Sequence, residues 1–442
     1  MSRYFYISTM GCQMNEYDSD YLAQVLVNSN FLPTDTPNSA DLILINTCSV
    51  RAKAEQKALS LLGRMISLKR KNPDLIVGIA GCIAQQEGSK LMERFPELDL
   101  VLGTREIGSI EDLLERLVSK RQKIVATDID LRPPSPMAKD GYFRGRVRSY
   151  VSIMEGCDNF CSYCIVPYVR GREVSRPPDD ILRETEDLVS EGVKEVTLLG
   201  QNVNSYVWGK EDEFRFPSLL RELSKRPGLA RIRFTTSHPK DLSEDLMRCF
   251  GELENLCPHI HLPLQAGSNK ILELMNRGYT GEEYLELVQK LRMIRPDIAI
   301  SSDVMVGFPK ESHEDFDLTL DMIREIEFDS LYSFKYSDRK GTLAERMDGK
   351  ISEAEKSSRL TQLQQIQKSI TLKKNRRLEG QELEILVEGE SKKGGQLTGR
   401  TATNKIVNFA NLNSCLGQLV NVRIKRAHVN SLWGVLTVIS NC

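Results

Sequence analysis

The sequence predicts an α/β protein in three parts: an N-terminal parallel α/β domain, a central partial (β/α)6 barrel, and a small C-terminal all-β barrel. Strand and helix patterns alternate through roughly the first 118 residues, and again over a longer span from Arg146. The last ~62 residues change to short alternating segments split by Gly, Asn and Ser. A chain of 442 residues also exceeds what one core holds. Domains are therefore expected at 1–118, 143–376 and 377–442, with a linker at 119–142.

In order, YFYIST reads as a strand and EYDSDYLAQVLVNSNF as an amphipathic helix. ADLILINT, LIVGIAG and LDLVLGT add strands, with helices through AEQKALSLLGRMISLKRK and SIEDLLERLVSK. KIVATDIDLRPPSPMAKDGY is proline-rich without an apolar period and reads as the linker. Six strand candidates follow: VRSYVSIMEG, KEVTLLGQN, ARIRFTTS, HIHLPLQ, IAISSDVMVG and SLYSFKYS. Helical segments such as DDILRETEDLVSEG separate them, which gives an open barrel rather than the full eightfold one. A polar helix, EAEKSSRLTQLQQIQKSITLKKNRRL, leads out of it. QELEILVEG, TGRTATNKIVNF, LVNVRIKRAHV and LWGVLTVI then build the small β-barrel.

A formal net charge of −1 excludes a uniformly basic polymer binder, so any nucleic-acid surface is local. One stretch fits. From Ser391 to Cys442 no Asp or Glu stands against Lys392, Lys393, Arg400, Lys405, Arg423, Lys425 and Arg426, as on a phosphate-binding face. A basic module resting on an acidic face of the same chain would read alike. No charged leader with an apolar stretch opens the chain. The longest apolar run, Leu75 to Ala84, falls far short of the roughly 20 residues that span a bilayer. The expectation is a cytoplasmic protein away from membranes, acting as a monomer. In that reducing compartment its ten cysteines serve as metal ligands, catalytic groups or core rather than as cross-links.

The stretch GCDNFCSYC puts Cys157, Cys161 and Cys164 at the end of the first predicted barrel strand, where barrel active sites lie. Three thiolates are odd for disulfides and one short for a closed zinc site. No fourth Cys or His lies between Tyr150 and Asp180. Three thiolates can instead hold three irons of a four-iron cluster and leave the fourth open. A dispersed set behaves similarly. Cys12, Cys48 and Cys82 each follow one of the first three predicted strands, and ligands of parallel sheets bind beyond the strands' carboxyl ends. A second three-cysteine cluster site is expected there; the alternative is buried structural cysteines.

The motif on a six-strand barrel resembles the radical S-adenosylmethionine enzymes, and the whole chain is similar to their methylthiotransferase family. The matching stretches are MGCQMNEYDSD, NTCSVRAKAE, AGCIAQ, CSYCIVPYVRGRE, LLGQNVNSY, FTTSHP, HLPLQAGS, MNRGYT and DVMVGFP. The tail EGESKKGGQLTGRTATNKIVNF resembles the family's TRAM module, an RNA-binding β-barrel. VPYVRGRE, GQNVNSY and FTTSHP are most similar to the tRNA branch. That resemblance implies conversion of N6-isopentenyladenosine beside the anticodon to its 2-methylthio form. It implies an auxiliary 4Fe–4S cluster on Cys12, Cys48 and Cys82, and a radical-generating 4Fe–4S cluster on Cys157, Cys161 and Cys164. Two S-adenosylmethionine molecules are used, one to methylate a sulfur and one to give a 5′-deoxyadenosyl radical. Electrons are expected from a flavodoxin- or ferredoxin-like donor. The family's proline-bearing YS-x-R-x-GTPA loop is here YSDRKGTLAERM, which puts that loop's shape in question.

Gln201 and Asn202, with Asn204, follow the second barrel strand and are candidates to contact cofactor or base, or to cap the loop. Gly307 ends a strand and suits close backbone approach to a ligand, or a plain turn. Arg170 and Arg172 could meet phosphate or carboxylate, or local acids. Lys392, Lys393 and Arg400 are the candidate RNA contacts. His238 reads as packed. His259 and His261 share one strand face without a third metal ligand. Rival readings are a methylthiotransferase for threonylcarbamoyladenosine or a ribosomal-protein aspartate, and a non-enzymatic Fe–S redox sensor that binds RNA.

Overall fold

This computed structural model describes residues 3–49, 52–129, 142–209, 213–391, 394–410 and 415–439. The first sheet is parallel and six-stranded. Its strands are β1 (Arg3–Met10), β2 (Phe31–Pro33), β3 (Leu42–Thr47), β4 (Ile76–Gly81), β5 (Leu100–Leu102) and β6 (Ile124–Ala126), in the order β2-β1-β3-β4-β5-β6. β3 and β4 are buried along their whole length, as their unbroken apolar runs require of strands covered on both faces. The sheet has two strands more than the sequence pattern shows. β2 is too short to display a period, and β6 lies in the stretch read as linker, where Ile124 alone of its residues is buried against the sheet's core.

All six expected barrel strands form: β7 (Arg148–Ser152), β8 (Glu195–Leu199), β9 (Arg231–Thr235), β10 (His259–His261), β11 (Ala299–Val306) and β12 (Ser330–Lys335). They make two parallel three-stranded sheets, β9-β8-β7 and β10-β11-β12, joined where Ile232 bridges Leu256. Among the described residues β7 and β12 pair on one side only, so the barrel is open between them. The exit helix Glu353–Arg376 buries a row with helical spacing, Arg359, Leu363, Gln367, Ile370 and Thr371 among it, and packs along β12.

The C-terminal part is a closed five-stranded barrel: β13 (Glu382–Glu390), β14 (Gln396–Thr401), β15 (Ile406–Ala410), β16 (Leu419–Ala427) and β17 (Leu432–Ile439). It has its own core of Ile385, Val387, Val407, Phe409, Val420, Val422 and Ile424. TGRTATNKIVNF is two strands joined by a tight turn, with Asn404 in the left-handed region at φ 66°. That turn sits against the N-terminal ends of the barrel strands. Arg233 donates to the carbonyls of Thr401 and Ala402, both at 2.8 Å, and Arg231 to that of Arg400 at 2.7 Å.

Candidate functional site

The N-terminal thiols are gathered by register. β1, β3 and β4 pair in parallel with Met10 opposite Thr47 and Thr47 opposite Gly81, so the three strands end side by side. Cys12 is the N-cap of α1 (Gln13–Asn28), Cys48 follows β3 directly, and Cys82 opens the short helix Cys82–Glu87. Gly81 must be glycine: its φ is +87°, and a Cβ would lie 2.4 Å from the Thr47 carbonyl oxygen. Asn15 laces the ends together, accepting from the Cys12 amide at 3.2 Å and donating to Asn46 Oδ1 and the Thr47 carbonyl. The Cys48 thiol hydrogen-bonds with both Cys12 and Cys82. Those bonds, helped by Arg170 against the opposing cost of burial, hold Cys12 down at about 6 and Cys82 at about 7. Cys48, the shared donor, is pushed up.

The second set lies in the loop after β7. Its backbone is pinned at both ends: the Gly156 amide donates to Gln201 Oε1 at 2.5 Å, and the Ser162 amide to the Met275 carbonyl at 3.0 Å. Two thiols accept side-chain donors, Cys157 from Asn159 Nδ2 at 3.4 Å and Cys161 from Arg277 Nη1 at 3.2 Å. Burial raises Cys157, and burial together with Cys161 pushes Cys164 up to about 12. Such thiols stay protonated until a metal displaces the proton.

The two sets adjoin. Cys82 packs against Ile165 and Val169, on the turn that leads away from Cys164. Arg170, only 3% exposed, pairs with Asp18 of α1 at 2.8 Å and lies 3.9 Å from Glu155. Burial opposes its charge, but Asp18, Cys82 and Glu155 outweigh that and hold it well above its ordinary value. From the other side Arg105 donates to the Arg170 carbonyl at 2.9 Å and the Arg172 carbonyl at 2.8 Å.

Among the described residues no three His, Cys, Asp or Glu surround a single metal ion. The donor set is instead two triplets of thiols, which suits separate irons of a cluster rather than one ion.

The other expected residues have mixed fates. Gln201 supports the cysteine loop through Gly156, and Asn202 donates to Asp241 at 2.7 Å with its Oδ1 buried and unpartnered. Asn204 and His238 exchange hydrogen bonds through side chain and backbone. His238 is neutral, driven to about 2 by burial and by Arg277, and its Nε2 is buried without a partner. Gly307 lies at φ +73°, the left-handed conformation of a turn glycine; a Cβ there would also meet Lys356 Cγ at 2.3 Å, and its amide donates to Glu311. Lys392, Lys393 and Cys442 lie outside the described residues. Arg400 pairs with Glu388 at 2.9 Å and Lys405 with Asp329 at 3.1 Å, so part of the basic stretch is spent on acids of the same chain. The variant loop is anchored: the Ala344 amide donates to the Ser162 carbonyl at 2.8 Å, and Arg339 lies close enough to Cys48 and Glu55 to feel their charge. The sequence reading passed over Arg277, Asp18, Glu155 and Arg105. Only Arg277 carried a local sign, as a cation in the short turn MNRGYT.

Residues 4–103 match the model described as uncharacterized protein family UPF0004, 151–323 the radical SAM superfamily, and 376–437 the TRAM domain. The chain's fold also resembles that of TsrM, a radical S-adenosylmethionine methyltransferase from Kitasatospora setae solved with cobalamin and a 4Fe–4S cluster. The TM-score is 0.58 at 15% identity, covering 78% of this chain and 77% of that one. OxsB, a cobalamin-dependent S-adenosylmethionine radical enzyme, gives a TM-score of 0.53 at 13% identity over 83% and 56% of the two chains. The protein is a radical S-adenosylmethionine enzyme, a class whose cofactors are a 4Fe–4S cluster and S-adenosylmethionine.

Full-length relatives narrow this further. A protein from Syntrophus aciditrophicus is 53% identical, with 98% of this chain and 94% of that one covered. Others from Syntrophobacter fumaroxidans and Thermodesulfovibrio yellowstonii are 51% and 48% identical, each with 98% of this chain covered and 96% and 98% of theirs. All three are named tRNA-2-methylthio-N(6)-dimethylallyladenosine synthase, and this chain belongs to that family.

Proposed function

We propose that this protein methylthiolates N6-isopentenyladenosine in tRNA, with Cys157, Cys161 and Cys164 holding the radical-generating 4Fe–4S cluster and Cys12, Cys48 and Cys82 an auxiliary one. The observation that carries it is the adjacency of the two triplets, Cys82 resting on the turn that follows Cys164. When bound, the first cluster supplies the electron that cleaves S-adenosylmethionine, and the second presents the sulfur to be transferred. The protein's own part is placement. Arg277 and Asn159 hold thiols of the first set, and Gln201 fixes the loop that carries them. Arg170 and Asp18 lock the second set beside it, an arrangement that would bring sulfur held there toward a base activated at the first.

The C-terminal barrel is read as the RNA-holding module. Lys425 and Arg426 are exposed, and with Arg148, His428 and Trp433 they line a groove of about 1020 Å³. Arg400 borders the same groove, and Lys392 and Lys393, outside the described residues, fall in the same basic stretch of sequence. Units at 1–118, 143–376 and 377–442 fit these roles. An external flavodoxin- or ferredoxin-like donor, monomeric action and a cytoplasmic place complete the reading. No helix among the described residues is long and apolar enough to cross a membrane.

The test is mass spectrometry of tRNA nucleosides from cells with and without the gene. Loss of 2-methylthio-isopentenyladenosine on deletion is expected; its persistence overturns the substrate, and change at threonylcarbamoyladenosine favours the rival. Anaerobically reconstituted protein that made no 5′-deoxyadenosine would favour the redox sensor.

A further inference from the structure

Inside the barrel, a line of polar side chains has no part in the site so far. Ile260, Ile300, Val304 and Val306 are buried in the hydrophobic core. By strand alternation His259, His261, Ser301, Asp303 and Met305 take the opposite face. On β12, Ser333 meets Gln364 and Lys335 meets Glu353 of the exit helix, so Tyr332 and Phe334 also face the interior. Register sets Asp303 beside Tyr332 and Met305 beside Phe334.

The contacts run in series. His259 Nε2 lies 3.2 Å from Ser301 Oγ, Ser301 Oγ lies 3.1 Å from His261 Nδ1, and His261 Nε2 faces Asp303 Oδ2 at 3.5 Å. Burial and Arg233 keep His259 neutral, at about 3. Ser301 Oγ thus lies between the two imidazoles and also donates to the Ile260 carbonyl at 3.3 Å, while His261 presents Nε2 to Asp303. The series ends on the Asp303 carboxylate, whose Oδ2 faces His261. Asp303 keeps 28% of its side chain exposed and Tyr332 is 54% exposed, its ring edge-on to His261 with centroids 5.9 Å apart. An exposed tyrosine on an inward strand face implies an occupant. The wall stands close to the radical site. Pro263, two residues past His261, accepts from Arg277 Nη2 at 3.3 Å, and the same guanidinium holds Cys161. Tyr332 also borders a cavity of about 410 Å³ along the free edge of β12, which reaches Arg400 and Lys405.

We infer that Asp303, Tyr332, Met305 and Phe334 form the wall that reads the N6-substituted adenine. The carboxylate of Asp303 accepts the single N6–H, the Tyr332 ring stacks on the base, and the Met305–Phe334 rung takes the five-carbon substituent. Unmodified adenine would fill the stack and the acceptor but leave the apolar rung empty. The inference rests on the proposed function and adds to it which residues choose the substrate.

The test uses full-length reconstituted protein and an anticodon stem-loop RNA carrying either isopentenyladenosine or adenosine. Asp303→Asn keeps size and loses the anionic acceptor; it should raise KM for the isopentenyl RNA roughly 10-fold. The dependence of RNA-free 5′-deoxyadenosine formation on S-adenosylmethionine, measured on the same variant, separates a contact to the base from a contact to the cofactor. Phe334→Ala should narrow the affinity gap between the two RNAs roughly 10-fold by weakening the isopentenyl RNA alone. Tyr332→Ala, at an exposed ring, should weaken both RNAs alike with iron content intact. Altered cofactor dependence in Asp303→Asn would assign the wall to S-adenosylmethionine and overturn the inference, as would an unchanged gap in Phe334→Ala. Wild-type protein inert toward the isopentenyl RNA would instead count against the proposed function itself.

Discussion

Replacing Arg277 with Met probes the radical site through its outer contacts. The Arg277 guanidinium donates to Cys161 Sγ at 3.2 Å, to Tyr279 Oη at 3.1 Å and to the Pro263 carbonyl at 3.3 Å, and it is fully enclosed. Methionine fills most of the space and supplies none of these donors. A hydrogen bond from a charged group contributes about 1.5–3 kcal/mol. At about 1.4 kcal/mol per decade, that converts to the ~10–100-fold loss of metal affinity typical of removing a ligand's outer partner. The measurement belongs in a Cys48→Ala background, where on the proposed assignment only Cys157, Cys161 and Cys164 retain iron. Half the iron should be stripped at a chelator concentration about 10–100-fold lower than in the parent. 5′-Deoxyadenosine yield should fall with it. Arg277→Lys keeps the charge without the planar fork and should recover part of the loss. If Arg277→Met holds iron and yields 5′-deoxyadenosine like the parent, the contact with Cys161 has no bearing on cluster retention and the argument fails.

Further expectations follow from other contacts. Cys48→Ala should lose about half its iron on reconstitution yet still make 5′-deoxyadenosine, with no methylthiolated tRNA. Cys161→Ala should make neither; full iron and normal product in Cys48→Ala would show the N-terminal cysteines to be structural. Arg233→Ala strips the partner from Glu195, 3.0 Å away and buried, and should destabilise the protein by about 3–5 kcal/mol in urea titrations. An unchanged midpoint would show the docked turn to be unimportant. Burial, against a hydrogen bond from Ser205, lifts the Glu173 carboxyl from 4.5 to about 7. A raised carboxyl favours the protonated fold, so its contribution is present below the lower value and is lost as pH rises through the upper one. Glu173→Gln should therefore flatten the decline in stability between those values, and a slope identical to wild type would contradict the shift. Lys392→Ala with Lys393→Ala should reduce the slope of log affinity for tRNA against log salt, which stays fixed if neither touches phosphate.

How much of this was legible in the sequence depends on separation along the chain. Each barrel strand announced itself by a local apolar run, and each N-terminal cysteine by its place just past a strand. That the strands end in register, so that thiols from three loops meet, is a property of parallel pairing and could be anticipated. The contacts joining the two cysteine sets could not. Arg170 and Asp18 are 152 positions apart, Arg277 and Cys161 116, and no period or motif couples residues so distant. Gly307 was ambiguous because a glycine required by a left-handed turn looks, in sequence, like one required by a ligand. The basic C-terminal stretch misled by half. Its lack of acids is local, and the acids that neutralise Arg400 and Lys405 come from β13 and from the barrel.

The buried arginines also decide how the site can be entered. Buried ion pairs are weak sources of net stability, but breaking one is costly, so they hold a single geometry against its alternatives. Here they act at both ends of the barrel. Arg105 and Arg170 tie the N-terminal domain over the cysteine end, and Arg231 and Arg233 tie the C-terminal barrel to the opposite end. With the two neighbouring domains tied to its ends, a base displaced from an RNA loop would come in from the side, between β7 and β12, which pair with no further strand among the described residues. α1 lies along β7, where Gln13 and Glu16 hydrogen-bond Tyr150, and that narrows one margin of the gap. The other margin is β12, which carries the exposed Tyr332 and leads along its free edge to Arg400 and Lys405. A phosphate chain held by the C-terminal barrel would thus bring its base to the same strand face that the adenine-reading wall occupies, a few residues from the thiol that Arg277 holds.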